Sequence, residues 1–169
     1  PFTSMNPFHC VPFLELDDGT VISESISICR YLEEIYPNPA LFGTTAETRA
    51  IIDMWLRRFE LDGFLPMLHA VRNHLENFKG RVIPGTRTDL PQVPEMVTRG
   101  IEMGKMFLER VEPHMAENEF VAGSRFSVAD ITAFFTIKLT TPLKIDINAS
   151  YSGVAAWMDR MSKREAFNI

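Results

Sequence analysis

Alternating and helical spacings of apolar residues divide the chain into a short β-containing part and a long helical one. Val11, Phe13, Leu14 and Leu16 form a short apolar run. Asp17-Asp18-Gly19 supplies turn chemistry, since glycine tolerates the positive φ such turns need, and Thr20, Val21 and Ile22 return the strand. The pattern predicts a hairpin over residues 11–23. From about Glu24 to Tyr36 the apolar positions Ile28, Leu32, Ile35 and Tyr36 fall on one helical face, and Pro37 and Pro39 stop the element.

Beyond Pro39 every signal is helical. Thr44-x-x-Glu47 reads as a capping box opening a helix that carries Ile52, Trp55, Leu56 and Phe59. The helix is expected to continue past Gly63 and Pro66 with a kink, into a buried stripe of Phe64, Leu68, Val71, Leu75 and Phe78. Residues 80–94, with three prolines and two glycines, read as a loop. The next helix uses Val97, Ile101, Gly104, Leu108, Val111 and Met115, with a disturbance expected near Pro113. Ser127-x-x-Asp130 is a second capping box, flanked by Phe126 and Ile131 as a hydrophobic staple. The helix it starts is apolar nearly all round and belongs at the centre of a bundle. A last amphipathic helix uses Val154, Trp157, Met158 and Met161. The expected division is a hairpin-plus-helix part at residues 1–38, a linker at 39–45 and an all-helical domain at 46–169.

Composition narrows the function classes. With 46% apolar and 23% charged residues in 169, the chain has material for a real core. A net charge of -5 argues against nucleic acid as the main partner, because phosphate binding wants a basic face. No apolar run reaches the ~18 residues a membrane span requires. Two cysteines, Cys10 and Cys29, make neither a disulfide framework nor a zinc spacing, and free thiols fit a reducing, cytoplasmic compartment.

Three features could carry chemistry. Pro12 at a strand entrance marks either an ordinary edge or a cis bond that turns the Val11 backbone outward, where it could pair strand-fashion with a peptide. Glu24-Ser25 at a helix start is either plain cap and dipole chemistry or a carboxylate site, with Ser25 Oγ and nearby N–H groups on an anion and Glu24 on an ammonium. Of the histidines, His69 and His74 are spaced i, i+5 on different faces, so no metal site is expected. His69 and Arg72 could reach a substrate pocket, although surface or packing roles are the plainer reading for the histidines.

Taken as one segment, NPFHCVPFLELDDGTVISESISICRYLEE resembles the second half of the thioredoxin-like N-terminal domain of cytosolic glutathione transferases, of theta-like or related bacterial and fungal style. FVAGSRFSVADITAFF resembles the same family's capping-box segment. The resemblance implies an α+β to mostly α chain: the C-terminal half of a thioredoxin-like domain, then the family's all-helical domain. It implies Val11 main-chain contacts to the cysteinyl part of glutathione, Pro12 as the cis proline that permits them, and Glu24 and Ser25 on the γ-glutamyl ammonium and carboxylate. Ser127 and Asp130 become a structural cap. His9 stands where the family has glycine, so a different local turn is expected. The resemblance further implies glutathione as co-substrate, an electrophilic small molecule as second substrate, and a homodimer. It places the thiol-activating Tyr, Ser or Cys in a β-α-β unit of roughly 30 or more residues upstream of Pro1, so that residues 1–169 alone are expected to be inactive. The rival expectations are a non-catalytic assembly module and a specialised glutathione-dependent isomerase or dehalogenase.

Overall fold

A computed structural model of the chain describes residues 2–85 and 88–167; Thr86 and Arg87, within the loop predicted over 80–94, lie outside the described residues. A four-residue helix, α1 (Phe2–Met5), precedes strands β1 (Phe13–Glu15) and β2 (Val21–Ser23). The strands pair antiparallel with Phe13 opposite Ser23 and Glu15 opposite Val21. Leu16 N–H donates to Thr20 O at 2.9 Å and Gly19 takes φ 84°, as the Asp-Gly turn demands. Helix α2 (Ser25–Ile35) follows directly.

The rest is helical: α3 (Ala46–Arg58), a π-helical turn (Phe59–Phe64), α4 (Leu65–His74), α5 (Pro94–Glu117), α6 (Val128–Lys138), α7 (Ile147–Ser150) and α8 (Ser152–Ser162). The core lies among these helices. Phe59, Met67, Leu108, Ile137, Val154 and Trp157 are wholly or almost wholly buried, and α6 runs through the middle with Asp130 and Thr136 sealed from water.

Four sequence expectations shift. The α3 cap is Thr45, whose hydroxyl accepts from Thr48 N–H at 3.1 Å while Thr48 Oγ1 accepts from Thr45 N–H at 3.0 Å, one residue later than Thr44-x-x-Glu47. The kink expected at Gly63 and Pro66 takes the form of the π-helical turn, which inserts an extra residue into the helical count. That insertion rotates the next helix about its axis, so the buried face of α4 is Met67, Ala70 and Val71, while Phe64, Leu68, Leu75 and Phe78 are only half-buried. Gly63 is required there, because a Cβ would stand 2.6 Å from the Phe107 ring. Finally, α5 runs through Pro113 as one helix of 24 residues.

Three carboxylates hold the helices to the rest through backbone N–H groups. Glu33 of α2 accepts from Leu41 N–H at 2.6 Å and Phe42 N–H at 3.0 Å, pinning the linker. Glu112 of α5 accepts from Gly153 and Val154 N–H at 2.6 and 2.9 Å, capping α8 from a neighbouring helix. Asp130 does the same for the α5–α6 connection.

Candidate functional site

The hairpin register decides what meets at the site. Because Phe13 lies opposite Ser23, the chain just before β1 and the chain just after β2 face each other, which brings Pro12 and Val11 beside Glu24 and Ser25. The juxtaposition follows from the register that the turn at Gly19 sets.

The segment leading to Val11 is organised by Asn6, a buried amide. Its Nδ2 donates to Cys10 O at 2.7 Å, its Oδ1 accepts from Phe8 N–H at 3.1 Å, and its own carbonyl accepts from His9 N–H at 3.0 Å. His9 takes φ 56°, in the left-handed region that glycine enters most freely. The Val11–Pro12 bond is cis. Val11 is 76% exposed, and its N–H and C=O make no hydrogen bond among the described residues.

Glu24 stands at the N-cap of α2 with φ 69° and ψ 120°, a strained conformation for a residue with a side chain. Its side chain makes no capping hydrogen bond, and neither its carboxylate nor Ser25 Oγ has a hydrogen-bond partner among the described residues. The plain capping reading of this pair therefore has no geometric support. Ser25 is exposed at the positive end of α2. A recess of about 330 Å³ opens beside the pair, lined also by Arg30, Asp53, Arg57 and Glu60. Arg30 pairs with Asp53 at 2.5 Å and Arg57 with Glu60; the former pair is about half exposed and contributes little to stability.

The second cap motif is of another kind. Asp130 is fully buried and accepts from Val121 N–H at 2.7 Å, Ser127 N–H at 2.8 Å and Ser127 Oγ–H at 3.0 Å. Burial raises its carboxyl above the ordinary value and the three hydrogen bonds oppose that rise. Val121 is held from both sides, since His114 Nε2 lies 2.8 Å from its carbonyl while the His114 ring stacks on Trp55 at 4.1 Å. His114 is thus a packing residue. No group of three potential metal ligands occurs among the described residues, and no helix is long and apolar enough to cross a membrane. Asn6, the positive φ of His9 and the strain at Glu24 escaped the sequence reading. The Asn-Pro preceding a Val-Pro was the available signal for the first.

The two halves of this geometry also match known proteins. Residues 1–35 match the model of the glutathione S-transferase N-terminal domain, and residues 97–165 that of the C-terminal domain. The crystal structure of a class Gtt2 glutathione S-transferase of Vibrio parahaemolyticus is 33% identical, with TM-score 0.82, covering 98% of this chain and 74% of that one. Glutathione S-transferase 2 of Saccharomyces cerevisiae is 29% identical over 96% of this chain and 67% of its own. Maleylacetoacetate isomerase of Rattus norvegicus is 26% identical over 99% of this chain and 70% of its own. With the hairpin, the cis Val11–Pro12 bond and the Ser127–Asp130 cap in one fold, the chain belongs to the glutathione S-transferase family.

Proposed function

We propose that the protein is a glutathione transferase that joins the thiol of glutathione to an electrophilic small molecule. The observation that carries this reading is the pairing of an open, exposed Val11 backbone with an unengaged Glu24 carboxylate and Ser25 hydroxyl at one helix start. Such a surface suits a short peptide with a charged amino-acid head. The Val11 N–H and C=O pair with the cysteinyl main chain as an added strand would, in the setting the cis Pro12 bond creates. Ser25 Oγ and the first N–H groups of α2 take the γ-glutamyl carboxylate, where the helix dipole favours an anion. Glu24 takes the ammonium. Ser127 and Asp130 serve the fold in this reading and stay outside the chemistry.

The proposed division of labour runs along the chain: residues 1–38 hold glutathione, 39–45 link, and 46–169 supply the wall for the electrophile. A homodimer is part of the proposal. Met54, Leu61, Leu65, Met103 and Met106 on α3 to α5 and the turn between are 38–56% exposed, an apolar surface that suits a second copy. The cytoplasm is the proposed location, consistent with two free cysteines.

A second reading, a glutathione-dependent isomerase, draws on the similarity to the rat maleylacetoacetate isomerase. It uses the same glutathione site and differs in leaving glutathione unconsumed. Calorimetric titration with glutathione tests the shared site. Ser25→Ala is expected to weaken binding by about 1.5–3 kcal/mol, the scale of a hydrogen bond to a charged group. Unchanged affinity would reduce the pair to a helix start. In a chain that also carries the β-α-β unit expected ahead of Pro1, tracking free thiol during turnover then separates conjugation, which consumes it, from isomerisation, which does not; a non-catalytic module so extended shows binding and no turnover.

A further inference from the structure

A helix without a single buried residue carries Ser25 and follows directly on Glu24. Helix α2 reaches the bundle at its first turn through Ile26, which is half-buried against the core. At its last turn Glu33 holds the Leu41 and Phe42 N–H groups of the linker. An apolar contact such as that of Ile26 is non-directional. It fixes neither the rotation of the helix nor its position along the surface it touches, so the place of Ser25 depends on a directional contact.

Arg30 makes one. It stands about one and a half turns after Ser25 on the same helix. Its Nη2 donates to Asp53 Oδ1 of α3 at 2.5 Å, and its guanidinium carbon lies 4.7 Å from the centre of the Phe42 ring. Among the described residues this is the one hydrogen bond or ion pair that joins α2 to α3. The recess of about 330 Å³ beside Glu24 and Ser25 lies between the same two elements. The start of α2 forms one wall, and Asp53, Leu56, Arg57 and Glu60 form the other. Asp53 and Arg57 share a face of α3 at i, i+4 spacing, and Arg57 is itself held by Glu60. The second wall is thus braced within the bundle, and Arg30–Asp53 links it to the wall that carries Ser25.

Because both side chains are about half exposed, solvent screens their attraction and little of it reaches the stability of the fold. Its geometric consequence remains. The pair sets the gap between the two walls, and so the place of Ser25 Oγ relative to everything a γ-glutamyl head must reach at once. Affinity depends on such groups standing in place before the ligand arrives, since ordering them on binding costs free energy.

We infer that Arg30 is a positioning residue for the glutathione site: through Asp53 it sets the first turn of α2 against α3, so that Glu24 and Ser25 meet the γ-glutamyl head already in place. This rests on the glutathione site proposed for Val11, Glu24 and Ser25.

Three carboxylates and two guanidiniums line the recess, which gives the test its sign. If the pair acted on a bound carboxylate through charge alone, R30M would weaken glutathione binding and D53N would strengthen it. Positioning requires both to weaken it, by about fivefold, within the range of coupling between members of one network. R30K keeps the cation and should retain most of the wild-type affinity. Glutathione is titrated calorimetrically into the full chain as wild type, R30M, R30K, D53N, S25A and R30M/S25A, with urea unfolding alongside. The urea midpoints of R30M and D53N should stay close to that of the wild type. The penalty of R30M should shrink in the S25A background, where the group it places is gone. A D53N that binds glutathione as tightly as the wild type, or more tightly, overturns the assignment. So does an R30K as weak as R30M, or an R30M penalty undiminished in S25A. If R30M fails to fold, a weakened D53N beside a near-normal R30K supports the assignment, and an R30K as weak as D53N overturns it. A wild type that binds no glutathione, or whose affinity S25A leaves unchanged, sinks the glutathione reading and this assignment with it. Affinity that falls in S25A and not in D53N sinks this assignment alone.

Discussion

The hairpin with α2 and the bundle of α3 to α8 are built to different standards of burial. Helix α2 has no buried residue and the two strands are at most half-buried, whereas α6 buries seven of its eleven residues. Polar groups obey the same divide. In the bundle Asp130 has three hydrogen-bond donors on it, because an unpaired carboxylate without water would cost several kcal/mol. In the hairpin part Glu24, Ser25 and the Val11 backbone are left open to solvent, and they are the groups the proposed glutathione site uses. The difference teaches where a binding surface can be kept: in the part of the molecule with the least core, held in register by the part with the most.

That comparison breaks most visibly from the bundle side. Phe59 is completely buried and meets Phe107 edge-on at 5.0 Å, at the π-helical turn where α3 and α4 join. Phe59→Ala should cost about 3–5 kcal/mol by urea unfolding, from lost apolar burial and the cavity left behind. Under native conditions the folded fraction should keep its glutathione affinity. Affinity falling in step with stability would mean the two parts are not separable.

Asp130 gives a smaller effect with a pH signature. Asp130→Ala leaves Val121 N–H and Ser127 N–H without an acceptor in a dry site and should cost about 3 kcal/mol, again without change in glutathione affinity. Asp130→Asn keeps the shape and removes the titration. Since burial raises the folded carboxyl above the ordinary 3.8, the folded state takes up its proton at higher pH than the unfolded chain does. The stability from this linkage is full below 3.8 and is lost as pH rises through the folded value. The advantage of wild type over Asp130→Asn should therefore narrow with rising pH across that window. An advantage that widens there would mean the three hydrogen bonds outweigh burial.

What the sequence showed and what it hid divide along local and non-local lines. The hairpin was legible because Asp17-Asp18-Gly19 sets both turn and register locally, and α6 because an all-round apolar helix after Ser127-x-x-Asp130 has only one place to go. The stripe on α4 was misread because the π-helical turn shifts the phase by an amount that depends on Gly63 meeting Phe107, over forty positions away. Glu33 and Glu112 were invisible for the same reason: each caps backbone outside its own helix. At the site, Val11, Pro12, Glu24 and Ser25 were all named from the sequence, yet their meeting depends on Phe13 lying opposite Ser23. Thr45 in place of Thr44 at the α3 cap is a one-residue choice between equal hydroxyls, made by the φ of -116° at Thr45.

The smallest effect sharpens the comparison most, because its two readouts should move in opposite directions. Glu24 sits at φ 69°, where a residue with a Cβ is strained and glycine is not. Glu24→Gly should therefore raise stability by about 1 kcal/mol, part of the relief being offset by the extra freedom glycine has in the unfolded chain. It also removes the carboxylate proposed for the γ-glutamyl ammonium, so glutathione affinity should fall about tenfold. Glu24→Gln separates the two contributions, keeping the backbone strain while discarding the charge: stability unchanged, affinity reduced. If Glu24→Gly instead lowered stability, the strained backbone would be offset by contacts the side chain makes within the protein. The residue would then belong to the fold, and the open carboxylate at the start of α2 would lose its claim to a ligand.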